Sequence, residues 1–150
     1  MLSLLWINSA IVGNVYAQAP VVQNSKTLAI KIITPAKNQS VPAGSNLDMS
    51  GTSSDDSASD CFVGVIVNSK KPYQNASATG PGGANDYSKW NYKLTSKYTV
   101  INEGQNKITA KLTCNAQPDL APNTSNATSA VKYSSVNVTG TTAGGLPIPQ

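Results

Sequence analysis

Histidine and arginine are both missing from this 150-residue chain, and the two absences exclude different functions. Without histidine there is no Ser-His-Asp triad, no Cys-His pair and no imidazole ligand for copper or zinc. Without arginine the chain lacks the bidentate base contacts typical of nucleic-acid readers, and its eleven basic residues, all lysine, are dispersed along the sequence. The sequence therefore predicts no nucleic-acid partner.

Acidic residues are also scarce, and Glu103 is the only glutamate among seven acids. A glycosidase-type pair of carboxylates would have to come from aspartates alone. The stretch GPGG at 80–83 is followed neither by Lys-Ser/Thr nor by a helical pattern, so it does not resemble a nucleotide-binding loop. We therefore expect a protein that is not an enzyme and uses no cofactor.

The first seventeen residues, MLSLLWINSAIVGNVYA, contain no charged side chain. They end with Val15 and Ala17 at the positions that a signal peptidase reads, so residues 1–17 are predicted to be a signal peptide cleaved before Gln18. A short buried apolar segment is the alternative, although Asn8 and Asn14 interrupt it. A membrane-spanning helix needs about 20 mostly apolar residues, and this stretch is shorter. No membrane span is expected in the mature chain.

After residue 26 apolar and polar residues alternate, which is the period of a β-strand with one buried face. Leu28, Ile30 and Ile32 lie in one such run, and CFVGVIVN, KWNYKLT, KITAKLTC and AVKYSSVNV are others. About seven short strands separated by turn residues predict an all-β fold, an immunoglobulin-like Greek-key β-sandwich, over residues 27–139. Residues 18–26 and 140–150 are predicted to be flexible tails.

Each of the two cysteines lies in one of these alternating runs. Cys61 is in phase with Val63, Val65 and Val67, and Cys114 is in phase with the apolar residues of its own run, so both are expected to face the core. In such a sandwich the third and sixth strands are antiparallel neighbours, which places the start of one beside the end of the other. A Cys61–Cys114 disulfide is therefore predicted for an exported chain. Two free buried thiols and a redox pair are the alternatives, although redox pairs are usually Cys-x-x-Cys.

Several segments together resemble immunoglobulin-like domains of exported archaeal and bacterial surface proteins. They are VPAGSNLDMSGTSSDD, CFVGVIVN, WNYKLT and INEGQNKITAKLTC, and the resemblance covers about residues 27–139. Two features differ from antibody domains, because both cysteines fall within one sheet and Trp90 follows the cysteine-bearing strand. The resemblance thus implies a spacer, adhesion unit or envelope component and not an immune role.

The aromatic residues allow two interpretations. Trp90 is in phase with Tyr92 and Leu94, which predicts that it packs opposite the cysteine-bearing strands, as aromatic residues in sandwich strands commonly do. Alternatively, Tyr73, Tyr87, Trp90 and Tyr92 form a platform on which sugar rings stack. Such a platform requires an exposed apolar patch, so the exposure of Trp90 and Tyr92 distinguishes the two interpretations.

Two further sets of residues are candidate sites. Four aspartates within a short stretch could supply oxygen ligands to Ca²⁺, although their spacing matches no established calcium loop and solvated acids are commoner in Ser-rich turns. Five Asn-x-Ser/Thr sequons are candidate glycosylation sites in an exported protein. The aspartates are Asp48, Asp55, Asp56 and Asp60, and the sequons begin at Asn38, Asn75, Asn123, Asn126 and Asn137.

These observations predict a secreted or cell-surface module with a structural or adhesive role and no catalytic activity. A carbohydrate-binding module that uses the Tyr/Trp platform is the alternative. The expected partner is a protein or polysaccharide of the cell envelope, and the expected location is extracellular or at the cell surface.

Overall fold

The computed structural model describes residues 27–56, 60–115 and 129–142, and every regular element in these ranges is a β-strand. The predicted signal peptide (1–17), the tail 18–26 and the sequons at Asn123 and Asn126 lie outside the described residues. The strands are β1 (Ile30–Thr34), β2 (Ser40–Pro42), β3 (Leu47–Ser53), β4 (Cys61–Val67), β5 (Gln74–Asn75), β6 (Ser77–Ala78), β7 (Lys89–Leu94), β8 (Gly104–Cys114) and β9 (Ala130–Thr141).

The described strands form two sheets. A four-stranded sheet has the order β1-β3-β7-β6, and a five-stranded sheet has the order β2-β9-β8-β4-β5. All neighbouring strands are antiparallel except β2 and β9, which are parallel. The prediction of an all-β fold is confirmed for the described residues.

One hydrophobic core lies between the sheets and takes side chains from both. The valines of β4 at 63, 65 and 67 are fully buried, as are Ile108 and Leu112 of β8. From the four-stranded sheet come Ile32, Met49, Trp90 and Leu94. Since alternate residues of a strand point to opposite faces, these positions are the inward set that the alternation predicted.

The strand inventory differs from the prediction at β2 and at β9. β2 lies in PAKNQSVPAGS (35–45), which the sequence predicts to be a loop. The two-residue strands β5 and β6 lie in the extended Gly- and Asn-rich loop after β4, where the sequence allows one short edge strand. β9 extends through Thr141, so residues 140 and 141 belong to a strand and not to the predicted tail. Gly140 is buried there, and a Cβ at this position would overlap the backbone of Asn102.

Cys61 and Cys114 form a disulfide bond, which confirms the predicted pairing. The two residues are directly opposite each other in the β4–β8 pair, with a Cα–Cα distance of 4.0 Å. The next pair outward, Asp60 and Asn115, is joined by a backbone hydrogen bond from Asn115 N to Asp60 O. The disulfide thus links the start of β4 to the end of its antiparallel neighbour β8.

Candidate functional site

The outer face of the five-stranded sheet carries exposed aromatic and apolar side chains. Because Val63 and Val65 point into the core, Phe62, Gly64 and Ile66 of β4 point outward. The register then places Lys111 of β8 beside Gly64, and Tyr133 of β9 beside Lys111. Ile66 is nevertheless buried, whereas Phe62, Val131 and Tyr133 are exposed, and the most exposed of the three is Tyr133, at 57%.

Tyr73 lies over Gly64 at the other end of this row. A Cβ at residue 64 would be 3.3 Å from the Tyr73 Cβ and 3.4 Å from its ring, so the absence of a side chain on Gly64 lets the tyrosine lie close to the sheet. The Lys111 ammonium is 4.6 Å from the centroid of the Tyr73 ring, within cation–π range. Burial raises the pKa of the Tyr73 hydroxyl, and the nearby Tyr133 and Tyr98 add to this effect.

Tyr73 and Tyr133 line one open cleft of about 370 Å³, which we call the aromatic cleft. The hydroxyls of Thr109 and Ser135 are 2.8 Å apart in a hydrogen bond within it. The cleft therefore combines aromatic rings with hydroxyl and ammonium groups. Its other lining residues are Ile66, Ser69, Lys71 and Lys107.

The structure does not assemble the aromatic platform that was the alternative interpretation of the sequence. Trp90 is 1% exposed, so its ring lies in the core and cannot contact a sugar; this corrects its assignment to a platform. Tyr87 is half-buried, and its hydroxyl donates to the Ala76 carbonyl oxygen at 3.4 Å. Tyr92 is half-buried in the four-stranded sheet and lines a different groove. Of the four rings, only that of Tyr73 reaches the aromatic cleft.

Tyr133 is the cleft residue that the sequence interpretation missed. Its signal was present in the alternation of β9, because the phase that directs Val136 and Val138 inward and Asn137 outward also directs Tyr133 outward. The position of Tyr73 beside Tyr133 had no such signal. It depends on the turn after β4, which folds back across Gly64.

The four aspartates proposed as calcium ligands do not come together. Asp48 is exposed on β3, opposite Lys93, and Asp60 accepts a hydrogen bond from Asn115 Nδ2 at 3.0 Å. Asp55 is buried, and its Oδ2 accepts a hydrogen bond from the Tyr87 backbone N–H at 2.7 Å. Within residues 27–56, 60–115 and 129–142, no three or more acidic, His or Cys side chains form a group that could hold a metal ion.

A second buried acid, Asp86, organises the Gly-rich loop. Its carboxylate accepts hydrogen bonds from the backbone N–H groups of Gly82 at 2.7 Å and Ser88 at 2.9 Å. Hydrogen bonds from the Ser88 side chain and from these amides lower the pKa of Asp86, whereas burial raises the pKa of Asp55 despite the hydrogen bond from Tyr87. GPGG is thus part of a loop closed around a carboxylate.

Three sequons lie on described residues, and all three asparagines are exposed. Asn75 is in the edge strand β5. The other two, Asn38 and Asn137, are adjacent at the opposite edge, because Asn38 N donates to the Asn137 carbonyl oxygen at 2.7 Å. The hydroxyl residues that complete these two sequons, Ser40 and Thr139, are register partners in the β2–β9 pair.

No protein-family model matches this chain, and no curated protein shows significant similarity to it. In the part of the chain that the structure describes, no helix is long and apolar enough to cross a membrane. Any functional interpretation therefore depends on the side chains of the candidate site.

Proposed function

We propose that this protein is an exported, immunoglobulin-like adhesion module that binds a polysaccharide of the cell envelope through the aromatic cleft. The observation that carries the proposal is the pair of tyrosine rings, Tyr73 and Tyr133, on either side of β8, with Lys111 between them. Tyrosine offers a rigid apolar face with a polar tip. A sugar ring likewise has apolar C–H faces and a hydroxylated rim, so the two surfaces are complementary.

The strand order supports an immunoglobulin-like Greek-key sandwich. In that fold one sheet contains strands A, B, E and D and the other contains C, F and G. Assigning β1, β3, β7 and β6 to the first sheet and β4, β8 and β9 to the second reproduces this order. β2 and β5 then extend the second sheet at its two edges, next to β9 and β4.

Export is supported by the disulfide together with the apolar N-terminal segment. Disulfides persist in oxidising compartments and are rare in the cytosol, so a Cys61–Cys114 bond favours an extracellular or cell-surface location. The largely apolar run of residues 1–17 and the small residue Ala17 favour a cleaved signal, although the run lacks the Lys or Arg that precedes the apolar part of a typical signal.

Binding is favoured over catalysis by the residues that line the aromatic cleft. These described residues are lysine, tyrosine, serine, threonine and isoleucine, and none is a carboxylate that could act as a general acid or base. An open cleft on a sheet face is also suited to a polymer chain, because the chain can extend beyond the cleft at both ends. The proposed role is therefore attachment.

The proposal is tested by affinity electrophoresis of the purified protein in gels that contain cell-envelope or other polysaccharides. Tyr133→Ala should weaken the interaction with a bound polysaccharide about tenfold, because an exposed ring that stacks on a ligand acts as a binding hot spot. The melting temperature should not change, since Tyr133 is 57% exposed. Ile33→Ala is the matched control, because it removes an apolar side chain that is 51% exposed on the other sheet.

Two results would contradict the proposal. One is retention of the wild-type protein by none of a broad panel of polysaccharides. The other is a Tyr133→Ala variant that is retained as strongly as the wild type, which would place the ligand elsewhere.

A further inference from the structure

A second groove of about 530 Å³ lies beside the turn that follows β4, and four lysines line it. We call it the lysine groove. Two of the lysines, Lys70 and Lys71, follow that turn, and Lys93 and Lys97 belong to β7 and the loop after it. The remaining lining residues are Pro72, Gln74, Tyr92, Thr95 and Tyr98.

The turn that presents Lys70 and Lys71 is held in one conformation by its own backbone. Asn68 and Ser69 have φ angles of 50° and 60°, and Lys70 N donates to the Val67 carbonyl oxygen at 3.0 Å. Positive φ at both central residues is the geometry of a type I′ turn, and asparagine tolerates it well.

Side-chain hydrogen bonds fix this turn from two directions. Asn68 Nδ2 donates to Asn106 Oδ1 at 2.8 Å, and Lys107 N donates to Asn68 Oδ1 at 2.8 Å. On the groove side, the Tyr98 hydroxyl donates to the Lys70 carbonyl oxygen. The backbone that carries the two lysines is therefore positioned before any ligand arrives, which reduces the entropy lost on binding.

The charge around the lysine groove is unbalanced. None of its described lining residues is an acid. Asp48, which the β3–β7 register places opposite Lys93, is not among the lining residues. Ammonium groups that line one groove attract an anion that enters it. The groove is therefore a site for negatively charged groups of a ligand.

The lysine groove and the aromatic cleft are adjacent, because Lys71 lines both. We infer that the two form one extended site for an anionic polysaccharide, whose sugar rings contact Tyr73 and Tyr133 and whose acidic groups lie among Lys70, Lys71, Lys93 and Lys97. This inference rests on the proposed function and specifies its ligand class. Lysine recognises carboxylate and sulfate groups alike as a point charge, so the shared chemistry is a regularly spaced anionic group on a sugar chain.

The test compares a uronate polymer (polygalacturonate), a sulfated polymer (dextran sulfate) and neutral dextran in affinity electrophoresis with the purified protein. The double variant Lys93→Ala/Lys97→Ala should lose about tenfold in affinity for an acidic polymer at low salt, and added salt should weaken wild-type binding. Affinity for neutral dextran should not change. Both lysines are exposed, so the melting temperature should match that of the wild type.

Lys31→Ala/Lys37→Ala is the matched control, because it removes the same charge from exposed lysines that line neither cleft. Less than a twofold loss is expected for this control. An equal loss in both double variants would overturn the inference, because it would show that net charge alone attracts the polymer. Binding of single-stranded DNA or anionic lipid vesicles as tight as that of the acidic polysaccharides would also overturn it.

The inference and the proposed function can fail separately. One outcome is that neutral polysaccharides bind, that Tyr133→Ala weakens their binding, and that the lysine double variant leaves the binding of acidic polysaccharides unchanged. In that case the proposed function is correct and the anionic specificity is wrong. If the lysine variant weakens acidic polymers but Tyr133→Ala has no effect, the groove binds anions without the aromatic cleft, and the proposed function is wrong. The relative affinities for polygalacturonate and dextran sulfate identify whether carboxylate or sulfate is preferred.

Discussion

Trp90 and Gly51 are register partners in the β3–β7 pair, and the position of one depends on the size of the other. A Cβ added to Gly51 would overlap both the Trp90 ring and the Lys31 carbonyl oxygen. The tryptophan can lie over β3 because glycine leaves room for it. Its indole Nε1 has no hydrogen-bond partner among the described residues, so its stability there comes from apolar packing.

We predict that Gly51→Ala destabilises the protein by about 1–3 kcal/mol, because overpacking displaces the ring or the neighbouring backbone. Denaturant unfolding measures the change. Gly64→Ala is the matched control, since the nearest atom to its added Cβ is a Tyr73 side-chain carbon at 3.3 Å and not backbone. The prediction is contradicted if the two variants unfold at the same denaturant concentration.

Asp55 and Asp86 should make stability depend on pH in opposite senses. Burial raises the pKa of Asp55 above 3.8, so its contribution to stability is fully present below that pH and is lost as pH rises through the higher folded-state pKa. Hydrogen bonds from Ser88 and Gly82 lower the pKa of Asp86 below 3.8, so its contribution is present above that pH and is lost as pH falls through the lowered value.

From this we predict that the stability of Asp55→Asn falls less than that of the wild type over the interval that begins at pH 3.8 and extends upward. Asparagine keeps an oxygen that can accept the hydrogen bond from Tyr87 N–H but carries no charge to desolvate. Melting temperatures across this interval measure the effect. A steeper slope in Asp55→Asn would contradict the prediction.

At the scale of elements, the disulfide connects two strands of the same sheet across a sequence separation of 53 residues. Closing a loop of this length restricts the unfolded chain, and the chain-entropy model gives about 4 kcal/mol. We predict that the Cys61→Ser/Cys114→Ser variant is less stable by about 2–5 kcal/mol. Denaturant unfolding measures the loss, and thiol titration of the denatured, unreduced wild type should find no free thiol. Two titratable thiols would show that the bond is absent.

The long strands were predictable because their burial is encoded locally. In β8 from Ile108 onward every second residue is apolar, which assigns the inward face, whereas β4 is apolar at six of its seven positions and is recognisable as a central strand. The pairing of Cys61 with Cys114 follows from the strand order of an immunoglobulin-like sandwich. Short strands have no such signal. β2 has three residues, and it becomes a strand only because β9, about a hundred residues later in the chain, pairs with it in parallel.

The candidate site was predictable only in part, for a related reason. Alternation predicts that Trp90 packs in the core, and its 1% exposure confirms this, so the alternative platform near Trp90 does not form. Tyr73 and Tyr133 are distant in sequence and meet through the pairing of β4, β8 and β9. Strand register, and not local pattern, therefore determines which side chains share the outer face.

At the scale of the whole molecule, the chain carries a formal charge of +4, and four of its eleven basic residues line one groove.

If export is correct, the secreted protein should begin at Gln18, because Val15 and Ala17 provide the site that a signal peptidase reads. Intact mass spectrometry of secreted protein tests this. Secreted material that still begins at Met1 would contradict it.

Asn137 is the exposed asparagine of a sequon, so the choice of expression host directly affects any binding measurement. Its side chain is on the outer face, opposite Lys107 and two residues beyond Ser135, both of which line the aromatic cleft. A glycan attached to Asn137 would occupy space next to that cleft, so the protein's own sugar would compete with an external one. We expect material from a glycosylating host to bind polysaccharide more weakly than unmodified material. Asn137→Gln should remove the difference between the two preparations.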